Sequence, residues 1–176
     1  MAVRPEFAAM LFDVITQTTI RLGQTVQQRQ RNSGFAIDWM CVSNCTLSMI
    51  SPAMHRRLLQ PFDARIAQSF ARFGVHTCNW DATRYFKVLR ELPRKGHLDM
   101  GAGTQLSLAN EMFPGARRAV LVHPNLLQQP NELDPLLNRI WSQLAPCDVI
   151  LADIPWDTPD AAVNAFLAHC AAAAAG

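Results

Sequence analysis

The segment Ala119-Val120-Leu121-Val122-His123 is a short apolar run that ends on a histidine. Its length and its valine content are typical of a strand that is buried in a sheet. Leucine, isoleucine and tryptophan side chains then recur at helical spacing across residues 130–144. A buried strand followed directly by an amphipathic helix predicts one β/α unit of a parallel sheet.

The same strand-then-helix pattern recurs on both sides of this unit. The other predicted strands are residues 35–42, 75–80, 95–101 and 148–153. A helix over about residues 5–30 precedes the first strand. The helix before the second strand is expected to end at Gly74 and to kink or break at Pro61. The sequence therefore predicts an α/β fold with a parallel sheet of about five β/α units.

Length and composition limit the classes of protein to which the chain can belong. A chain of 176 residues with 49% hydrophobic and 17% charged residues predicts one soluble domain over residues 1–176, in which residues 171–176 form a frayed tail. A net charge of +2 without a basic cluster argues against nucleic acid as a partner. The chain has no apolar run of about 18 residues, so we expect no membrane span. Five cysteines without a signal-peptide pattern predict reduced thiols in the cytoplasm.

His76 and Cys78 form the most specific pair of candidate site residues. Residues two apart in a strand point to the same face, so this pair would place an imidazole beside a thiol. Both groups are good Zn²⁺ ligands, and a catalytic zinc ion needs three protein ligands and one open position. A cysteine in a buried strand can also be a small packing residue, and that interpretation stays open at this point.

The carboxyl ends of parallel strands meet at one edge of the sheet, which is where α/β proteins place their active sites. Metal-binding or titratable side chains occur at every predicted strand end: Asn44 and Cys45, His76 and Cys78, His97 and Asp99, His123, and Asp153. Asp38 lies inside a strand that we expect to be buried on both faces, so it is either paired with a basic residue or functional. His55, in the first turn of a helix, is expected to be solvated.

Four motifs resemble those of a known family. They are Met49-Ile50-Ser51-Pro52, Gly74-Val75-His76-Thr77-Cys78, Leu98-Asp99-Met100-Gly101 and Asp157-Thr158-Pro159-Asp160. In this order the motifs are similar to the carboxyl-terminal half of the uroporphyrinogen decarboxylase superfamily, over about residues 38–163. The resemblance implies part of a (β/α)₈ TIM barrel, which needs either a missing amino-terminal half or self-association to cover its open edges.

The corrinoid-dependent methyltransferases of this superfamily bind zinc through a His-x-Cys pair and a later cysteine. The resemblance makes His76 and Cys78 metal ligands, with Asp153 at the position of the later cysteine. Asp99 is then expected to act as a fourth ligand or base. His97, His123 and Asn44 are expected to contact the cofactor or the substrate.

The leading prediction is a zinc-dependent methyltransferase that moves a methyl group from a corrinoid, or a corrinoid protein, to a small-molecule thiol. The first alternative is a tetrapyrrole decarboxylase, in which Asp38 or Asp99 would stabilise positive charge on pyrrole nitrogens. The second alternative is a non-catalytic half-barrel that needs a partner. The alternatives differ from the leading prediction in requiring no metal.

Overall fold

The computed structural model describes residues 4–175 and contains one parallel sheet of five strands. The strands are β1 (Trp39–Ser43), β2 (Arg72–His76), β3 (Lys95–Gly101), β4 (Arg117–Val122) and β5 (Asp148–Leu151). Their order in the sheet is β1-β2-β3-β4-β5, so strands that are neighbours in sequence are also neighbours in space. This order is that of part of a (β/α)₈ barrel, and it confirms the predicted fold class.

Helices connect the strands and precede the first one. They are α1 (Pro5–Asn32), α2 (Pro52–Leu58), α3 (Gln60–Gln68), α4 (Phe86–Leu89), α5 (Leu106–Met112), α6 (Pro130–Leu144) and α7 (Asp160–Ala175), with short 3₁₀ helices at Cys45–Met49, Thr83–Tyr85 and Pro124–Gln128. The Ser51 side chain caps α2 by accepting a hydrogen bond from the Met54 amide. The predicted break at Pro61 is confirmed, because α3 begins one residue before that proline.

The two faces of the sheet differ in their surroundings. Residues such as Val75, Met100 and Val120 point to one face, where they are buried in a core with helix residues such as Leu137 and Ile140. The opposite face is buried near its centre, at Asp99 and Ala119, and carries exposed side chains towards both edges of the sheet. The carboxyl ends of the strands, where the candidate site residues lie, are therefore next to an open sheet face.

Several predicted boundaries are wrong. The first strand begins at Trp39, and it is not buried on both faces: the side chains of Trp39, Cys41 and Ser43 are exposed. Gly74 does not end a helix; it lies inside β2, where an added Cβ would meet the Cβ of His97 at 2.9 Å. The alanine run at the end of the chain belongs to α7, which extends to Ala175, and Gly176 lies outside the described residues, so the predicted fraying of residues 171–176 stays a prediction.

None of the helices between residues 4 and 175 has the length and apolar composition that crossing a membrane requires.

Candidate metal centre

Cys45, His76 and Cys78 bring one imidazole nitrogen and two sulfur atoms together at the carboxyl edge of the sheet. Their potential ligand atoms all lie within 4.8 Å of one another. His76 Nε2 is 3.1 Å from Cys78 Sγ, and the two sulfur atoms are 2.8 Å apart. The register explains this convergence: Ser43 of β1 is the partner of His76 in β2, so Cys45 follows β1 at the level where Cys78 follows β2.

The second nitrogen of His76 is held by Asp99. His76 Nδ1 lies 2.8 Å from Asp99 Oδ2, across a register that pairs these two residues in β2 and β3. An ionised carboxylate only accepts hydrogen bonds, so Nδ1 carries the proton that is donated to Asp99. In the neutral ring, Nε2 then has its lone pair directed towards the two thiols. A carboxylate that orients a ligating histidine in this way is a common feature of metal sites.

Asp99 is itself fixed by the surrounding backbone. Its Oδ1 accepts a hydrogen bond from the Thr77 amide at 3.0 Å, and the Thr77 hydroxyl donates to the Asp99 carbonyl. Burial alone would raise the pKa of Asp99, but interactions with His97 and His76 outweigh it, and the pKa is lowered from its usual 3.8. Asp99 is therefore ionised at neutral pH, as a partner for the imidazole must be.

The Cys78 thiol disfavours charge in the absence of an ion. Burial raises the pKa of the Cys78 thiol to about 11, and its hydrogen bond and charge interaction with Cys45 act in the same direction, as does the negative charge of Asp99. A metal ion binds the deprotonated thiolate, so binding of a divalent cation would release the proton and offset the unfavourable charge. The donor set fits Zn²⁺, which is commonly bound by cysteine and histidine together.

Cys78 holds an unusual backbone conformation. Its φ angle is +57°, in the left-handed region that costs residues other than glycine roughly 1–2 kcal/mol. Gly101, at the end of β3, lies directly under the same loop: a Cβ there would overlap the carbonyl of Asn79 and would lie 2.8 Å from the Trp80 nitrogen. The Gly101 amide also donates to the Trp80 carbonyl at 3.0 Å. Close packing on Gly101 thus keeps Cys78 in its strained position.

The three potential ligands line an open cleft of about 500 Å³. The cleft is completed by Asn79, Trp80, Leu121, Ala152 and Asp153. None of these lining residues, all of which belong to the described part of the chain, carries a positive charge. Three protein ligands at the wall of a cleft leave space for a substrate atom in the fourth position, which is the arrangement of catalytic zinc sites.

The structure replaces one member of the predicted ligand set. His76 and Cys78 lie together as predicted, and Cys45, which the sequence placed at a strand end without a metal role, joins them. Asp153 lies in the wall of the same cleft but is not part of the group within 4.8 Å. Asp99 contacts the outer nitrogen of His76, on the side of the ring that faces away from the sulfur atoms.

Three further predicted site residues, His97, His123 and Asp38, lie in different places. His97 Nε2 is 3.5 Å from Asp99 Oδ2, so it adds to the support of that carboxylate. The His123 side chain accepts a hydrogen bond from the Asn125 amide and begins the 3₁₀ helix after β4. Asp38 precedes β1 at the opposite edge of the sheet, where it lies 3.5 Å from Arg72.

Asn44 has a contact that positions the neighbouring Cys45. Its side-chain amide donates to Asp63 Oδ2 at 3.0 Å, and the same oxygen lies 3.6 Å from His55 Nε2. His55 is fully buried, so the expectation that it is solvated is wrong. The sequence contains no local signal for this chain of contacts, because it joins the residue after β1 to residues of α2 and α3.

No protein-family model and no curated protein matches the chain.

The packing of the Cys78 loop on Gly101 predicts that Gly101→Ala weakens metal binding. The added methyl group must displace the loop that carries Cys78, and we expect the affinity for Zn²⁺ to fall by roughly tenfold or more, as it does when the support of a ligand is lost. Competition with a chromophoric chelator measures this affinity.

Gly103→Ala is the matched control for this variant. Gly103 lies two residues from Gly101, and its replacement by alanine reduces the conformational entropy of the unfolded chain in the same way. In the folded protein, the added Cβ would have no neighbour nearer than the Asp81 Cβ at 4.0 Å. Equal zinc affinities of the two variants would show that contact with Gly101 does not position Cys78.

Proposed function

We propose that Cys45, His76 and Cys78 bind a zinc ion whose fourth position receives the sulfur of a small thiol, and that the chain is a thiol methyltransferase. The observation that carries this proposal is the convergence of the three ligand atoms on one cleft, with Asp99 on the outer nitrogen of His76. When bound, the ion would supply Lewis acidity that keeps the substrate sulfur deprotonated at neutral pH.

The residues of the chain have separate roles in this proposal. Asp99 holds His76 in the tautomer that leaves Nε2 free, and the Asn44 contact with Asp63 holds the turn from which Cys45 projects. Trp80 and Leu121 provide an apolar wall beside the ligands, which favours a substrate with a short hydrocarbon body. These groups bind and orient the thiol, and none of them needs to become covalently attached to it.

The methyl donor in this proposal is a corrinoid. This choice of donor is supported by the four sequence motifs that resemble the superfamily of the corrinoid-dependent methyltransferases. In the transfer, the sulfur–carbon bond forms while the cobalt–carbon bond breaks, and both electrons of the broken bond remain on cobalt. The proton of the substrate thiol passes to solvent before the transfer. The donor must approach from the open side of the cleft, where the described residues leave the ligands accessible.

The geometry favours this function over tetrapyrrole decarboxylation. That alternative assigns the stabilisation of pyrrole nitrogens to Asp38 or Asp99. Asp38 lies beside Arg72 at the amino end of β1, and Asp99 is engaged by His76 and Thr77. One observation favours the other alternative, a non-catalytic half-barrel that needs a partner: the open sheet face carries exposed Trp39 and Ile150. Like the decarboxylase, a half-barrel of this kind requires no metal.

Zinc binding by variants distinguishes the observed ligand set from the predicted one. Wild-type protein purified without a histidine tag is expected to contain about one zinc ion per chain. Cys45→Ala removes a ligand and should abolish retention of zinc, whereas Asp153→Asn should retain it. Asp99→Asn should weaken binding by roughly 10–100-fold, since it loses the orientation of His76. Metal analysis after dialysis measures the content.

Cys147→Ala is the control for the loss of a cysteine. Cys147 lies directly before β5, at the amino edge of the sheet, and its removal should leave the zinc content unchanged. Wild-type protein that retains no zinc, or a Cys45→Ala variant that retains all of it, would contradict the proposed site.

Methyl transfer has a test of its own. Zinc-loaded protein with methylcobalamin and a small thiol is expected to form the methyl thioether, detected by mass spectrometry, together with demethylated cobalamin in equal amount. The Cys45→Ala variant should form neither. Zinc-loaded protein that forms no thioether with any small thiol would refute the methyltransferase assignment while leaving the metal site in place.

A further inference from the structure

The charges around the candidate metal centre limit which thiols can bind there. A Zn²⁺ ion with two thiolates and a neutral imidazole has no net charge, and a third thiolate from the substrate makes the group negative. Asp153 adds a second negative charge to the same cleft, whose lining residues include no basic side chain among those the structure describes. The cleft therefore lacks a counter-charge for an anionic substrate.

Asp153 is held in this position by an unusual backbone. Its φ angle is +55°, so both Asp153 and the ligand Cys78 occupy the left-handed region in the wall of one cleft. Residues in this conformation are concentrated at functional sites, where the surrounding structure maintains it. Asp153 is exposed, so its carboxylate is accessible to a bound molecule.

Trp80 adds a second group that is suited to a cation. It lines the cleft beside Cys78, and its side chain is half exposed. The face of an indole ring attracts ammonium groups, and it also provides apolar contact for the methylene groups that connect an amine to a thiol. A carboxylate and an indole in one cleft are a common means of recognising an ammonium ion.

We propose that the substrate is a small thiol that carries an ammonium group, whose sulfur occupies the open position beside Cys45, His76 and Cys78 and whose cationic end pairs with Asp153. This inference rests on the proposed zinc site and adds the chemical class of the substrate. It assigns Asp153 to substrate recognition instead of metal ligation.

Thiol binding to the cobalt-substituted protein tests this assignment without any turnover. Co²⁺ replaces Zn²⁺ at cysteine-containing sites, and a new sulfur ligand strengthens the sulfur-to-cobalt charge-transfer absorption. The probes are cysteamine, which carries an ammonium group, 3-mercaptopropionate, which carries a carboxylate, and neutral 2-mercaptoethanol. The quantity of interest is the ratio of affinities for cysteamine and 3-mercaptopropionate.

This ratio is compared between the wild-type protein and Asp153→Asn, because the comparison cancels the different acidities of the two thiols. Asparagine tolerates the left-handed conformation well, so the backbone should be retained. We expect the ratio to fall by about fivefold in Asp153→Asn, the size expected for one exposed charge pair. Of the three affinities, that for neutral 2-mercaptoethanol should change least between the two proteins.

Asp157→Asn is the control for total charge. Asp157 is exposed and lies outside the cleft, so its removal should leave the ratio unchanged. Equal ratios in the wild-type protein and Asp153→Asn would overturn the substrate assignment while the proposed zinc site stands. A protein that binds no Co²⁺, or binds it without responding to any thiol, would overturn both.

Discussion

The buried carboxylate of Asp99 is the group on which the candidate site depends. It joins β2 to β3 through His76 and the Thr77 amide. It is ionised because its interactions with His97, His76 and the Thr77 amide outweigh the effect of burial on its pKa. By accepting a hydrogen bond from His76 Nδ1, it keeps the proton on that nitrogen and leaves Nε2 facing the sulfur atoms. A single buried charge thus couples the register of two strands to the chemistry of the cleft.

The fold was predictable because its signals are local. Each strand is a short apolar run, each helix has a periodic apolar face, and proline marks the ends, as at residues 61 and 130. His76 and Cys78 meet as predicted but for a different reason: β2 covers Arg72–His76 instead of residues 75–80, and Cys78 reaches His76 from the left-handed turn that follows the strand. The buried appearance of β1 was misleading, because an apolar strand at the edge of a sheet with one open face has the same sequence pattern as a central strand.

The third potential ligand was not predictable from spacing. Cys45 lies in the 3₁₀ helix after β1, and only the parallel register with β2 brings it next to Cys78. Asp153 was expected as the third ligand because the family resemblance places it at the position of the later cysteine, but it lies in the wall of the cleft, outside the group of potential ligands. The contact of Asn44 with Asp63 was equally hidden, since it joins the end of β1 to α3 across 19 residues of sequence.

X-ray absorption spectroscopy of the zinc-loaded protein tests the central claim most directly, because it counts the ligand atoms by type. We expect two sulfur ligands at about 2.3 Å and one imidazole nitrogen at about 2.0 Å, with one further light atom from solvent. On addition of a thiol, a third sulfur should replace that light atom. A zinc shell with one sulfur and additional oxygen ligands would contradict the assignment of Cys45, and a protein that retains no zinc would contradict the site as a whole.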